Sequence, residues 1–422
     1  MKPLLHYHSD CIGFLGCENM VANFLNDKGL RELFEVTFTY CRDNEYERGL
    51  RARVSDLAGT TSLPLLDPAR RIRRIQRRWV RRIAWFLAEI LVPRPLCLLW
   101  NTVILYRFLR NRPISILHIN NGGYPASSSC RAAAIAARLA KITTVLMVVN
   151  NQAESYSSPL RWLDYPIDRL VRRSVTVFVT GSQMTTAALR AVLRTPSVMH
   201  RVIPNGIAGR LIVETPSVLR RRLGVREGVP TIGVVARLEK RKGHIVLLQA
   251  LAYGKSKGLF PTMPVTLIEG VGEELATLEA YAASVGLDRD VIFCGAEMHV
   301  FDLLNAVTIV ALPSISHEDM PNVVIEAMSL GKPVIASRVG GVGEQINHLE
   351  SGFLVTPGAV EELSLGLNRL LRDEELLALL GANARKRFAS HFTVEAAVSA
   401  YVELYTSLVQ PKVRPHVLSL CL

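Results

Sequence analysis

Several features of secreted, metal-binding and repeat proteins are missing from this sequence. Its seven cysteines include no Cys-x-x-Cys pair, and no His–Cys cluster has the spacing of a zinc site. The first residues, MKPLLHYHSD, have neither the long apolar core nor the cleavage site of a signal peptide. No Asp-x-Asp motif stands within a cluster of oxygen ligands, so a required metal is not implied. We therefore expect reduced, mostly buried thiols and a cytoplasmic protein.

Acidic residues are also in the minority. The 422 residues include 50 Lys and Arg against 37 Asp and Glu, which gives a formal net charge of +13. This balance favours acidic partners, namely nucleic acid, anionic lipid or nucleotide phosphates. With 49% hydrophobic and 21% charged residues, the chain is long and apolar enough to form two or three globular domains.

Much of the positive charge lies in a segment from residue 67 to residue 110. Eight arginines fall between Arg70 and Arg82, and apolar residues recur among them at helical spacing, as in a helix lying on an anionic membrane surface. These apolar residues are Ile72, Ile75, Trp79, Ile83, Phe86, Leu87 and Ile90. A second apolar run begins at Leu96, but the prolines before it leave no run of about twenty apolar residues that could span a bilayer. The alternatives are a charged helix packed on its own domain and a nucleic-acid-binding helix, which no recognition motif supports.

Around this segment the first half of the chain alternates strands and helices. A strand at Pro3–His8, a turn containing Gly13 and Gly16, and a helix predict the opening of a doubly wound domain. A later strand, Ile114–Ile119, ends beside two glycines, so we expect a ligand to reach His118 at its carboxyl end. The first domain is predicted over residues 1–208.

A second α/β alternation follows an arginine-rich segment that we interpret as an irregular linker ending at Pro230. It starts with a strand at Thr231–Ala236 and predicts a second Rossmann-like domain over 209–390. Residues 391–422 are expected to form a C-terminal helix that crosses back to the first domain.

Two parts of this second domain carry charges suited to a phosphorylated ligand. Arg237 and Lys242 lie in a turn between a strand and a helix, where cations and free N–H groups favour a diphosphate. Glu318 and Glu326 lie eight residues apart, one in the loop after a strand and one in the following helix. Solvated surface charges are the alternative for each pair taken alone.

Three motifs occur in one order, and together they resemble the retaining GT-B glycosyltransferases of glycosyltransferase family 4. They are RLxxxKG from Arg237, the loop with both glutamates, and Gly340-Gly341 with Glu344 ahead of the strand Phe353–Val355. The stretch EDMPNVVIEAMSLGKPVIAS is similar to the E-x7-E signature of that family. The likeness is specific from about Gly233 to Val355, loose before Gly206, and does not explain residues 67–105. It implies two Rossmann-like domains facing each other across a cleft. From the charge pattern, we expect the basic segment as an insert in the first of them.

The resemblance also implies roles for individual residues. Arg237 and Lys242 would contact the donor diphosphate and stabilise the departing nucleotide, and Glu318 would lie near the transferred sugar. Glu326 would hold the ribose hydroxyls, while in the first domain Gly16 would approach the phosphates and His118 the sugar. The resemblance predicts further contacts with the nucleotide-sugar donor from the loop around Glu318 and from the Gly340-Gly341 motif. These residues are His317, Asp319, Met320, Pro321, Asn322, Gly341 and Glu344. Cys17 and Asp319 stand where the family often has glycine, and the charge of Asp319 leaves the donor preference open.

We therefore expect a retaining hexosyltransferase that uses a UDP-, GDP- or ADP-linked sugar and a lipid-linked or polysaccharide acceptor. No cofactor or metal is implied, nucleic acid is not an expected partner, and the basic helix places the protein on the inner face of the cytoplasmic membrane. A nucleotide-sugar epimerase of the same fold and a catalytically silent membrane-surface binding protein are the alternatives.

Overall fold

The structure is a computed structural model that describes residues 2–11, 14, 16–67, 94–125, 127–296 and 299–409. Contacts among Cα atoms divide the chain into two compact units. The first comprises Met1–Val148, Tyr156–Val179 and the chain from Val398, and the second comprises Val149–Ser155 and Thr180–Ala397. The predicted basic helix from Arg70 to Ile90 and the predicted turn residue Gly13 lie outside the described residues.

One sheet has seven strands in the order β3-β2-β1-β4-β5-β6-β7. The pairs of β1 with β2, of β1 with β4 and of β2 with β3 are parallel. Every residue of the central strand β1 is buried, as expected for a parallel strand covered on both faces. The strands are β1 (Leu4–Ser9), β2 (Glu35–Cys41), β3 (Thr60–Leu63), β4 (Ile114–Asn121), β5 (Val145–Val149), β6 (Val177–Thr180) and β7 (His200–Val202).

Helices alternate with these strands along the chain. Several begin with a side-chain cap, for example Ser127, whose hydroxyl accepts from the Ser129 N–H, and Asp43, whose carboxylate accepts from two N–H groups. The helices are α1 (Gly16–Asn26), α2 (Lys28–Leu33), α3 (Asn44–Arg53), α4 (Arg94–Leu109), α5 (Ser128–Leu139), α6 (Pro159–Trp162), α7 (Tyr165–Ser174) and α8 (Gln183–Leu193).

The other sheet has six strands in the order β10-β9-β8-β11-β12-β13, and all its adjacent pairs are parallel. Its strands are β8 (Thr231–Val235), β9 (Val265–Glu269), β10 (Val291–Gly295), β11 (Ile309–Leu312), β12 (Val334–Ser337) and β13 (Phe353–Val355). The helices of this part are α9 (Pro216–Arg222), α10 (His244–Ser256), α11 (Leu275–Ser284), α12 (Val300–Ala306), α13 (Asn322–Ser329), α14 (Val342–Gln345), α15 (Val360–Arg372), α16 (Glu374–His391) and α17 (Val394–Val409).

The second sheet buries an apolar layer on each face. In β11, Val310 and Leu312 belong to one buried cluster, while Ile309 and Ala311 belong to the other. This division follows from the two-residue period of a strand, whose successive side chains point to opposite faces. Packing on both faces therefore fixes the position of β11, and with it the start of the loop that follows.

The predicted α/β class with two parallel-sheet Rossmann-like domains is confirmed. One local prediction differs from the structure. The segment interpreted as an irregular linker contains the helix α9. In the first half of the chain, Pro166 lies in the first turn of α7, a position that proline favours. In the part of the chain that the structure describes, no helix has the length and apolar character needed to cross a bilayer.

Candidate active site

The loop between β11 and α13 brings the predicted signature residues into a fixed backbone conformation. His317 has a φ of 55°, in the left-handed region, and its ring bonds with the hydroxyl of Ser316 at 2.8 Å. Pro321 takes the N-cap position, and α13 ends at Ser329 before Gly331, whose φ is 66°. Met320 is buried beneath the loop. The strand–turn–helix arrangement predicted here is the one observed.

Glu318 is paired with Lys242 at the base of this loop. The Lys242 Nζ lies 2.5 Å from the Glu318 Oε1, and the Ser314 hydroxyl donates to the same oxygen at 2.7 Å. Burial lowers the pKa of Lys242, and the neighbouring carboxylate opposes that change. The structure therefore brings together the glutamate and the lysine that the sequence placed in separate motifs.

Two arginines surround this pair. Arg237 forms an ion pair with Glu239 at 2.5 Å, and its side chain is 58% exposed. Arg241, which the sequence analysis did not select, donates to Glu239 at 2.9 Å and to the His317 carbonyl at 3.1 Å. Its Nη1 also lies 3.8 Å from the Glu318 carboxylate. Three cations thus share two carboxylates, which leaves this cation cluster (Arg237, Arg241 and Lys242) with a net positive charge.

Asp319 is turned away from the loop surface into a buried hydrogen-bonding arrangement. Its carboxylate accepts from the Ser182 hydroxyl and, at 3.1 Å, from the Gly181 N–H. Burial raises its pKa, and these donors oppose that change. The carboxylate of Asp319 is therefore buried and satisfied by protein donors, and its expected place beside the sugar stays a prediction.

Glu344, predicted to border the nucleotide, lies at the start of a helix. Its carboxylate accepts from the backbone N–H groups of Gln183 at 2.8 Å and Met184 at 3.0 Å, at the start of α8. Carboxylates at a helix N-terminus satisfy free donors and interact favourably with the helix dipole. The residue caps a helix of its own unit. Gly341 lies close to the same helix start, because a Cβ there would contact the Ser182 side chain.

Glu326 projects from α13 and is half-buried. Burial raises its pKa, and Arg210 opposes the change. A further glutamate, Glu269 at the end of β9, interacts electrostatically with it, and burial together with this repulsion raises the pKa of Glu269 to about 7. The sequence analysis missed Glu269, although its position at the last residue of a parallel strand could have identified it. Asn322, at the start of α13, accepts from the Asn205 side chain at 3.3 Å.

In the first unit, His118 occupies a position different from the one expected. It lies inside β4, three residues before the strand ends at Asn121, and is buried. Its Nδ1 is 2.6 Å from the Tyr405 hydroxyl, and its ring packs against Tyr7 and Phe24. The expectation of an accessible ring at the strand end is corrected for this reason. Gly16 begins α1.

Among the described residues, no group of three or more His, Cys, Asp or Glu side chains is arranged to hold a metal ion. The charges assembled at the loop are instead those of the cation cluster and its two carboxylates, a set that can bind a polyanion such as a diphosphate.

Comparisons with known proteins agree with this chemistry. The family described as Glycosyl transferases group 1 matches residues 217–387, and the family described as Glycosyl transferase 4-like domain matches residues 28–206. The chain is 29% identical over 57% of its length to 2-deoxystreptamine glucosyltransferase of Streptomyces kanamyceticus, covering 62% of that protein. It is 24% identical over 74% of its length to the UDP-Gal:alpha-D-GlcNAc-diphosphoundecaprenol alpha-1,3-galactosyltransferase of Escherichia coli, covering 80% of that protein. With several further curated relatives it spans about half of their length.

Solved structures share the fold. HepE of Anabaena, crystallised in complex with UDP, superposes with a TM-score of 0.73 at 20% identity, covering 96% of this chain and all of that one. The two family matches lie on either side of residue 210 and correspond to the two Rossmann-like domains of GT-B glycosyltransferases. On this evidence the chain belongs to the family 4 type of glycosyltransferases, the Glycosyl transferases group 1.

Proposed function

We propose that this protein transfers a hexose from a nucleotide-diphosphate sugar to a lipid-linked or polysaccharide acceptor, with retention of the anomeric configuration. The observation that carries the proposal is the pairing of Glu318 with Lys242 beneath a loop that also receives Arg241. These side chains come from two turns that each follow a parallel strand, the usual position of ligand sites in α/β sheets.

The proposed chemistry rests on electrostatics. As the bond between sugar and diphosphate breaks, negative charge develops on the departing diphosphate, and cations already in place stabilise that charge more than the ground state. Arg237, Arg241 and Lys242 would supply these cations. Glu318 orients Lys242 and favours its charged form, and its carboxylate would then lie beside the transferred sugar.

Ribose recognition is assigned to Glu326. A half-buried carboxylate accepts hydrogen bonds from a pair of sugar hydroxyls, and Arg210 favours its ionised form. UDP is the first donor nucleotide to test, because HepE was crystallised with UDP. We infer the lipid-linked class of acceptor from the E. coli relative, which is named for a diphosphoundecaprenol substrate.

The transfer proposal is tested by sugar transfer from radiolabelled UDP-hexoses to a membrane extract. Lys242→Ala should lower the rate by about 10²–10³-fold, the usual cost of removing one charge-stabilising donor. Lys240→Ala is the matched control, since this exposed lysine lies two residues away in the same turn. Glu326→Ala should raise the apparent KM for the donor, while Glu279→Ala on the exposed face of α11 should not.

Transfer that is unchanged in both Lys242→Ala and Glu326→Ala would contradict the site assignment. Conversion of the nucleotide sugar in the absence of any acceptor would instead identify an epimerase. The anomeric configuration of the product, measured by NMR, decides whether configuration is retained.

Peripheral attachment to an anionic membrane is part of the same proposal. The basic segment from residue 67 to residue 110 motivates it, and flotation with vesicles that contain or lack anionic lipid tests it. Changing Arg73, Arg74, Arg77 and Arg78 to Gln should weaken flotation, and equal flotation would remove the role of these arginines.

A further inference from the structure

The helix α4 has two apolar faces, of which only one is packed. Cys97, Leu105 and Leu109, together with Asn101, are buried and lie on the face that packs against α5. Four further apolar residues, Leu96, Leu99, Trp100 and Val103, lie exposed on the opposite face. A helix that is apolar all round is normally enclosed on all sides, so the exposed face of α4 calls for an explanation.

The exposed residues form a continuous stripe, which we name the outer face of α4. Leu96, Leu99, Trp100 and Val103 are 58%, 60%, 50% and 39% exposed. Their spacing of three and four residues places them in one row along the helix. Leu66, which is 43% exposed, lies next to this helix, because its backbone bonds with the Asn101 side chain and the Pro64 carbonyl accepts from the Trp100 indole N–H. Contiguous apolar surface of this kind marks an interaction site.

Two arginines continue the same row. Arg107 and Arg110 follow Val103 at the same three- and four-residue spacing, and both are exposed. The outer face is therefore apolar along its first half and cationic along its second. The indole N–H of Trp100 donates to the Pro64 carbonyl at 3.3 Å, which fixes the ring within the apolar half. Trp beside an apolar stripe, with Arg at its end, is the composition of a surface that lies at a lipid–water boundary.

The charge of the surrounding sequence identifies the occupant. Between Pro68 and Arg112 there are twelve arginines and a single acid, Glu89, which gives +12 − 1 = +11 of the chain's net +13. A protein partner or a second copy of this chain would have to bring a matching excess of acid, whereas an anionic bilayer offers acyl chains and negative headgroups together.

We propose that the outer face of α4, formed by Leu66, Leu96, Leu99, Trp100, Val103, Arg107 and Arg110, docks this protein onto the surface of an anionic lipid bilayer. The apolar half enters the boundary between headgroups and acyl chains, and the two arginines contact lipid phosphates. This inference rests on the proposed membrane location and is independent of the proposed chemistry.

Co-sedimentation of the full chain with vesicles tests the apolar half. Vesicles of phosphatidylcholine alone are compared with vesicles of phosphatidylcholine and phosphatidylglycerol. Leu96→Glu with Leu99→Glu should raise the lipid concentration needed for half-binding by about tenfold or more. The matched control is Leu33→Glu with Leu139→Glu, two leucines of the same unit that are 51% and 56% exposed away from this face.

The cationic half is tested with a second pair. Arg107→Gln with Arg110→Gln should weaken binding to the anionic vesicles by about fivefold per arginine and leave binding to neutral vesicles unchanged. Arg48→Gln with Arg51→Gln, exposed on α3 at the same spacing, is the matched control. Stabilisation of each variant by UDP, measured as a thermal shift, verifies folding and keeps the docking result separate from the transfer chemistry.

Three outcomes would overturn the proposal. If the leucine variant and its control bind equally well, the outer face does not touch lipid. If only the substitutions at residues 73–78 abolish binding, membrane attachment stands and this surface is excluded. If the leucine variant converts a dimer into a monomer with lipid binding unchanged, the face joins two copies of the chain.

Discussion

At the scale of single residues, neighbouring acids in the signature loop have opposite roles. Glu318 faces Lys242 and Ser314, where its negative charge is paired with the cation cluster. Asp319, the next residue, is buried against Ser182 and Gly181. His317, immediately before them, has a left-handed backbone conformation with a φ of 55°. Position along the sequence therefore says little about which of two adjacent carboxylates meets a ligand.

Asp319→Asn should lower the stability of the protein. The amide replaces one accepting oxygen by a donor that faces the Ser182 hydroxyl and the Gly181 N–H, and an unsatisfied buried group costs about 1–3 kcal/mol. Urea unfolding measures the loss. Asp288→Asn, on an exposed loop of the same unit, is the control and should change stability little. A variant that is as stable as the wild type but prefers a different donor sugar would contradict this structural role.

At the scale of elements, glycines hold the two turns of the candidate site together. Gly243 ends the turn that carries Lys242, with a φ of 67°, and a Cβ at this position would collide with the Pro313 carbonyl. The turn after β8 and the loop after β11 can thus approach each other only because residue 243 has no side chain. The distance between Lys242 and Glu318 depends on this contact.

Gly243→Ala should therefore weaken donor binding as well as stability. Gly286→Ala is a matched control, because Gly286 has nearly the same φ of 69° but open space around its Cβ position. Both variants carry the cost of a left-handed alanine, about 1–2 kcal/mol, and only Gly243→Ala adds the collision. UDP titration of both proteins isolates the effect of the contact. Equal UDP affinity in the two variants would show that the turns do not need to meet.

The C-terminal helix α17 is attached to the first sheet by a hydroxyl shared among three rings. The Tyr405 hydroxyl lies 2.6 Å from the His118 Nδ1 and 3.1 Å from the Tyr7 hydroxyl, and all three residues are buried. Tyr405→Phe keeps the ring but leaves two buried polar groups without this partner. We expect the free energy of unfolding to fall by about 1–3 kcal/mol, measured in urea, with the half-buried Tyr106→Phe of α4 as control. An unchanged midpoint would mean that the hydroxyl contributes only packing.

The order of strands and helices could be predicted because it depends on neighbouring residues in the sequence. The hydrogen-bond partners of the polar side chains could not be predicted in this way. The strands predicted at Pro3–His8, Ile114–Ile119 and Thr231–Ala236 lie within two residues of the observed bounds of β1, β4 and β8. Asp319 meets Ser182 across 137 residues and His118 meets Tyr405 across 287, and no local pattern encodes such pairs. The helix α9 was missed because its arginines were interpreted as a solvated linker, although arginine is a good helix former. Arg241 was overlooked because it lies between the two cations of the matched motif.

At the scale of the whole molecule, the chain is strongly basic, but three of its histidines are buried and carry no charge. Burial lowers the pKa of His6 and of His118 to about 3 and that of His8 to about 4, so these rings stay neutral in the folded protein. His6 and His8 bond with the hydroxyl of Thr39 at 2.9 Å and 3.1 Å. All three histidines lie on the adjacent strands β1 and β4, in the centre of one sheet. The stability of the first unit therefore depends on three imidazole rings that stay neutral.

The contribution of these three histidines to the free energy of unfolding should consequently fall as the pH is lowered from about 6.5 toward 4. The unfolded chain takes up protons on these histidines below about pH 6.5, while the folded protein does not. Each histidine contributes a slope of about 1.4 kcal/mol per pH unit in this window. Urea unfolding at a series of pH values measures the total slope, which His118→Gln should reduce and His391→Gln, at an exposed position, should not. Equal slopes for the wild type and His118→Gln between about pH 6.5 and 5 would contradict the neutral, buried state of this ring. Buried carboxyl groups with a raised pKa, such as Glu269, contribute a slope of opposite sign, and they contribute it to both proteins.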